Sequence, residues 1–417
     1  MARTTSTGLL LVLTAAMGIG PLVNYGLSTT STLVIKDFGI TEGQFGLLAA
    51  VCFFSAALSS FPLGRLSDRI SSKGQLAIIF GGTTLGLLAI ALAPSYAWLL
   101  VAMAVAGPAQ ALSNPMTNRI IVDRVEPGKR ASWIGVKQSG VQGSQLFAGL
   151  FFPAVALFAG WQGAAGAAAA LAVGLMMWSW KRLQEGSPPA APRWKKATRH
   201  VSPAAPADTE SPDPSGHGKR LPALVWVFAG YSLFSGAGLQ ATNVYLPLFA
   251  HRELDLGLLL AGLTAGLAGA VGVSSRIFWG KRMNTGARTS SLLSLLAVGS
   301  LLGTASLLVS GEFNAQPLLW LGVVLHGATA LGGNVVVMAG LMRSVPHARI
   351  GTASGVVALG LYLGFALGPL IMGTLLQQSG AFVNGWAVVA ASYVLCFLLS
   401  LLLRRRRPEF GGAGVPA

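Results

Sequence analysis

Apolar residues fill long blocks along the whole chain, separated by short polar segments rich in Arg, Lys, Pro and Gly. A block of about 18 or more such residues, coiled as a helix rising 1.5 Å per residue, crosses a bilayer core of about 30 Å. Twelve blocks meet that test, at residues 8–35, 44–63, 74–94, 97–120, 131–157, 161–181, 221–247, 257–279, 289–309, 317–342, 350–375 and 385–403. The pattern predicts an all-α integral membrane protein with twelve transmembrane helices. Arg3 ahead of the first block has the look of a signal peptide. The block outlasts the 7–15 residues of such a segment, however, and offers no small-residue cleavage site, so it is read as a retained helix.

Between the sixth and seventh blocks, residues 182–220 are rich in Pro and charge (EGSPPAAPRWKK, then SPAAPADTESPDPSG). Such a segment buries too little apolar surface to fold and is expected to be a disordered linker. The expected organisation is a six-helix bundle at 1–181, the linker at 182–220, a second six-helix bundle at 221–403 and a tail at 404–417. The two bundles echo each other. At an offset of 220, Gly107 meets Gly327, Asn114 meets Asn334, Gly135 meets Gly355 and Gly140 meets Gly360. Two repeated six-helix halves point to a binding site between them near the bilayer midplane.

The 417 residues are 53% hydrophobic and 10% charged, with a net charge of +16. A soluble chain carries roughly a quarter charged residues. The positive excess follows membrane topology rather than nucleic-acid binding. With a cytoplasmic N-terminus, all 29 Lys and Arg except Lys36, Lys137 and Arg252 fall on the cytoplasmic side, Arg276 being counted with the basic loop after the eighth block. That distribution is the positive-inside rule, and it predicts both termini in the cytoplasm. Cys52 and Cys396 lie in membrane blocks and suggest small packing residues, not a disulfide or metal site.

The second block is followed by PLGRLSDRISSKGQL, residues 62–76. This run resembles the signature of the major facilitator superfamily between helices two and three, with Gly64, Leu66, Asp68, Arg69 and Lys73 matching. SRIFWGKR at 275–282 resembles its degenerate second copy. GLYLGFALGP at 360–369 is similar to the superfamily's glycine-proline pattern, although antiporters carry that pattern in helix five and here it lies in helix eleven. The resemblance implies two pseudo-symmetric six-helix bundles and a cytoplasmic gating latch at Gly64, Asp68, Arg69 and Lys73. The arginine that the superfamily often places early in helix four is replaced here near Met103, which sets that route of proton coupling aside. The run 114–140 is more distantly similar to the branch containing cyanate permeases.

Polar residues interrupt particular blocks. In the fifth, Gln138, Gln142 and Gln145 lie at i, i+4 and i+7, one stripe of a helix, with Lys137 at its edge. Amides facing lipid would lack partners, so the stripe must face protein or water. Lys137 lies about 9 Å from the cytoplasmic end at 1.5 Å per residue, within snorkelling reach of the interface. Other polar positions are Asn24 and Tyr25 in the first block, Gln110 and Asn114 in the fourth, Gln240 and Asn243 in the seventh, and His326 and Asn334 in the tenth. By the resemblance, helices one, four, seven and ten line the central cavity with five beside them. Gly360, Gly364, Gly368 and Pro369 are spaced for close helix packing. All thirteen acidic residues fall in loops or at helix ends, so the fixed charge expected in the cavity is Lys137, with Arg119 near the mouth and Asp123 one turn beyond it, and the local field favours an anion.

No phosphate-binding glycine loop and no catalytic Ser, His and Asp set is present. The expected function is a secondary transporter of a small anionic or strongly polar solute in a bacterial-type cytoplasmic membrane. Efflux of lipophilic drugs is the alternative within transport, and a transport-inactive sensor or scaffold the alternative outside it. The expected partners are a small-molecule substrate and membrane lipid, with a proton as candidate coupling ion carried by His326. A monomer is expected; no cofactor, metal or nucleic acid is. Green fluorescent protein fused to the C-terminus is expected to fluoresce and alkaline phosphatase fused there to be inactive. An active phosphatase would reverse the topology.

Overall fold

A computed structural model describes residues 2–67, 70–185, 221–345 and 349–405. Asp68 and Arg69, nearly all of the expected linker and most of the tail lie outside them. The elements are α1 (Ala2–Ile19), α2 (Leu22–Thr29), α3 (Ser31–Phe38), α4 (Glu42–Ser67), α5 (Ser72–Ala91), α6 (Tyr96–Arg124), α7 (Pro127–Glu185), α8 (Ala223–Arg252), α9 (Leu258–Asn284), α10 (Thr289–Glu312), α11 (Gln316–Ala328), α12 (Gly333–Ser344), α13 (Ile350–Ser379) and α14 (Phe382–Arg405). Local chemistry sets several ends. Ser71 and Ser95 accept hydrogen bonds from the backbone of Gly74 and Trp98, capping α5 and α6. Gly39 closes α3 with φ 59°, a left-handed conformation that costs glycine little.

Among the described residues, ten helical segments are long and apolar enough to cross a membrane, α11 and α12 counted together, and the α1–α2 pair, bent by 52°, makes an eleventh span. α7 has 59 residues, about 88 Å at 1.5 Å per residue. That is nearly three bilayer cores, so one crossing cannot hold it. Gly160 (φ 69°, ψ 173°) breaks its helical geometry, and the arms on either side complete the twelve spans. The first span is less regular than the single helix expected at 8–35, since it passes through α1, α2 and α3. The tenth is interrupted by a 3₁₀ turn, Ala330–Gly332, between α11 and α12.

The internal repeat reappears in the packing. Gly107 of α6 lies against the Cys52 carbonyl of α4, and its counterpart Gly327 of α11 lies against the Ala268 carbonyl of α9. Gly140 of α7 abuts Thr14 of α1, and Gly360 of α13 abuts Ala229 of α8. Large apolar side chains such as Leu92, Phe158 and Phe313 stand exposed on the outer surface, as lipid-facing residues do.

The first six spans meet the last six mainly along α4 with α13 and α7 with α9. At the end remote from both termini the halves interlock. Arg252 pairs with Glu42, Tyr245 donates to the Glu42 carbonyl at 2.7 Å, and Thr41 donates to Gln377 at 2.9 Å. Deeper, Ser28 of α2 donates to the Asn243 and Val244 carbonyls of α8 at 2.7 and 2.8 Å. Gly364 and Gly368 pack on α8 within their own half, and the Pro369 carbonyl faces Gly46 of α4 in the other.

The closest glycine seam between halves is α7 with α9. A Cβ on Gly149 would stand 2.6 Å from both the Gly262 carbonyl oxygen and Gly266 Cα. Gly149→Ala is expected to cost about 1–3 kcal/mol by overpacking and to lower the thermal midpoint of the purified protein. Gly135→Ala, with no neighbour within 4 Å of its Cβ, is expected to be neutral or better. Equal midpoints for the two variants would mean that the seam yields freely.

Candidate functional site

Lys137 does not snorkel. Its side chain is 0% exposed, and its ammonium donates to Thr117 Oγ1 at 2.7 Å, to Asn114 Oδ1 at 2.9 Å and, weakly, to Met17 Sδ at 3.9 Å. Asn114 and Thr117 are three residues apart and so share a face of α6. Every partner is neutral. An ammonium has three protons and no acceptor, so this set meets its hydrogen bonds without neutralising its charge. Gln138, the next residue of α7, donates to the same Asn114 Oδ1 at 3.1 Å.

A second buried cation faces Lys137's helix from the other half. Arg276, within the eighth block, was counted with the cytoplasmic charges, but α9 runs through it to Asn284 and buries it to 8% exposure. The first part of the SRIFWGKR run is therefore helix interior. Arg276 donates through Nε to the Leu331 carbonyl at 3.1 Å and through Nη1 to the Gln138 carbonyl of α7 at 2.8 Å. These bonds leave Nη2 for a further partner. The 3₁₀ turn explains the first bond, because a helix broken at Ala330–Gly332 frees backbone carbonyls. Ser275 and Trp279 use the same break, donating to the Ala328 carbonyl at 2.7 and 2.8 Å. Among the described residues, neither Lys137 nor Arg276 pairs with a carboxylate.

A chain of amides joins the halves beside these cations. Gln142 donates to Gln145 Oε1 at 3.1 Å, and Gln145 donates to Asn243 Oδ1 on α8 at 3.1 Å. His326 Nε2 lies 3.0 Å from the same Asn243 oxygen. The Tyr25 hydroxyl reaches the Gln142 side chain and lies in the electrostatic range of Arg276. Two atoms of the chain, Gln142 Oε1 and Asn243 Nδ2, are buried without a partner in the protein.

Of the positions singled out from sequence, Lys137, Gln138 and Asn114 form one group, and Gln142, Asn243, His326 and Tyr25 form another beside Arg276. Asn24 turns to Cys52 of α4, donating to its sulfur at 3.2 Å. Gln110, Gln240 and Asn334 are not hydrogen-bonded to either group, and Gln110 Oε1 is buried without a partner. Gly64 lies on α4, Lys73 is half-buried in the first turn of α5, and Ser71 supplies that helix's cap. Arg276 and Thr117 are site residues that the sequence did not single out, while Gln145 belongs to the polar stripe it did. Arg276 could have been found by projection, since it lies seven residues beyond Gly269 and fourteen beyond Gly262, on the face of α9 that meets α7. Among the described residues, no group of three His, Cys, Asp or Glu could hold a metal ion.

The family model described as Major Facilitator Superfamily matches residues 6–315. The chain is 27% identical to the probable nitrate/nitrite transporter NarK2 of Mycobacterium tuberculosis over 414 residues, covering 93% of this chain and 92% of that one. It is 28% identical over 201 residues to a putative tartrate transporter of Agrobacterium vitis, covering 47% of this chain and 44% of that protein. In fold it is similar to a D-xylose-proton symporter (TM-score 0.77, 16% identity, 100% of each chain). It is also similar to an inward-facing bacterial homolog of the human lysosomal transporter Spinster (TM-score 0.73, 16% identity, 97% of this chain and 98% of that one). Twelve apolar spans, the paired glycine packing of the two halves and the matched family model agree: the chain belongs to the major facilitator superfamily and is a multi-pass membrane transporter, not an enzyme.

Proposed function

We propose that the protein is a secondary transporter that moves a small anion across a bacterial cytoplasmic membrane by alternating access, with Lys137 and Arg276 as its countercharges. The observation that carries this reading is the pair of buried cations, one from each half and neither matched by a carboxylate among the described residues. A charge kept inside a membrane is costly and has a task. Positive groups in a low-dielectric site draw an anion strongly. The nitrate/nitrite and tartrate transporters to which the chain is similar have anions in their names, which supports the same class of solute here. A lipophilic cation would meet two positive charges and no acidic partner, which speaks against drug efflux.

On this reading the interlocked end bearing Glu42 and Arg252 is the outer one, and the conformation described is closed to the outside. Opening there must break the Arg252–Glu42 pair and the Ser28, Tyr245 and Thr41 bonds. Substrate could exchange their cost against its own bonds to both halves. The latch at Gly64, Asp68, Arg69 and Lys73 would govern the opposite face. His326, bonded to the amide that bridges the halves, is the candidate proton carrier. The transporter acts as a monomer surrounded by lipid.

In proteoliposomes, wild-type protein is expected to take up small anions, and Lys137→Gln and Arg276→Gln each to lower that uptake at least about tenfold, one decade per 1.4 kcal/mol of lost binding. Transport of lipophilic cations alone, or variants equal to wild type, would overturn the proposal.

A further inference from the structure

Resting on the anion reading above, we infer that the transported anion also carries a hydrogen-bond donor: it is a hydroxycarboxylate rather than a bare oxyanion. The amide chain between the halves sets this demand. Gln142, Gln145, Asn243 and His326 are hydrogen-bonded in series, and Gln142 and Asn243 are 1% and 2% exposed. Two atoms of this series have no protein partner, the acceptor Gln142 Oε1 and the donor Asn243 Nδ2.

Reversing the amides does not remove the pair. Side-chain oxygen and nitrogen are assigned from the network, and the whole series can run the other way if His326 accepts at Nε2. Gln145 would then donate to Gln142, and Asn243 to Gln145 and His326. The groups left over would be Gln142 Nε2, a donor, and Asn243 Oδ1, an acceptor. In either direction the series leaves one donor and one acceptor to be met from outside.

The surroundings supply donors in excess. Arg276 Nη2 and the Tyr25 hydroxyl beside Gln142 can both donate to an anion. A nitrate-like ion has acceptors alone. It would satisfy those groups and leave the orphan amide oxygen unmet. A carboxylate bearing a hydroxyl meets both demands: its carboxylate oxygens take those donors, and its hydroxyl donates to the free amide oxygen while accepting from the free amide nitrogen. The unpartnered atoms are sealed while Ser28 of α2 is bonded to α8, so the ligand reads them as the α2–α8 contact parts and the amide series stays joined.

The test compares ligands that differ by one hydroxyl. Titrations of the purified full-length protein would use L-malate against succinate, L-lactate against propionate, and nitrate at matched ionic strength. At least one hydroxylated acid is expected to bind about tenfold or more tightly than its partner, since a site built to bond a hydroxyl rejects the analogue lacking it. Gln142→Met, close in volume but without the amide, is expected to bring that ratio within about twofold. Paired acids binding within twofold in wild type, nitrate binding most tightly, or a ratio that survives Gln142→Met would each overturn the hydroxyl inference while leaving the anion reading standing. Binding by none of the five would remove both. The wild-type ratio decides the matter even if the variant does not fold.

Discussion

Everything at the centre of this protein follows from the difficulty of holding a charge inside a membrane. Lys137 and Arg276 are both buried, and each is stabilised only by neutral oxygens and one sulfur. Hydrogen bonds meet the geometric demands of an ammonium or a guanidinium but do not cancel its charge. What remains is one uncancelled positive charge on each side of the boundary between the halves. Breaking a buried charge pair is expensive because it strands the remaining charge. Here both cations stand without an anion among the described residues, which is the arrangement expected when the anion arrives from outside.

The backbone is shaped around that demand. A continuous tenth helix would have spent the Ala328 and Leu331 carbonyls within itself. The 3₁₀ turn at Ala330–Gly332 releases them to Ser275, Arg276 and Trp279 of α9. Irregular backbone at membrane depth is tolerated where it is buried in protein or lines a cavity, and here it anchors the guanidinium. The glycine seam of α7 and α9 then brings Gln138 within reach of Arg276. Gly149, Gly262, Gly266 and Gly269 let the two backbones approach closely enough for a side chain of one half to bond the main chain of the other. Small residues at such contacts are how helices associate where lipid gives them no hydrophobic drive.

The spans were legible because bilayer thickness sets their length and lipid sets their composition, and the superfamily followed from the spans and one loop. The repeat was legible through glycines, whose packing partners recur half a chain apart. Lys137 stood out because it is an isolated cation in an apolar run, although the sequence could not say that it turns inward rather than towards the interface. Arg276 was hidden by the same charge rule that gave the topology. It lies so close to Lys281 and Arg282 that counting charges per loop absorbed it. The break before α2 is marked by Pro21, which a long apolar block concealed; the turn at Ala330–Gly332 has no proline or long polar gap to mark it, and bonds from Ser275, Arg276 and Trp279 hold it. Asn24 illustrates the opposite limit: an amide on a membrane helix can be spent on packing, in this case against Cys52.

The most direct test of the two-cation site is a structure of the protein in lipid nanodiscs, saturated with an anion that it transports. The account predicts anion density bridging Lys137 Nζ and Arg276 Nη2, in contact with both halves. An anion bound elsewhere, with Lys137 still bonded to Thr117 and Asn114 and Arg276 to Leu331 and Gln138 as here, would contradict it.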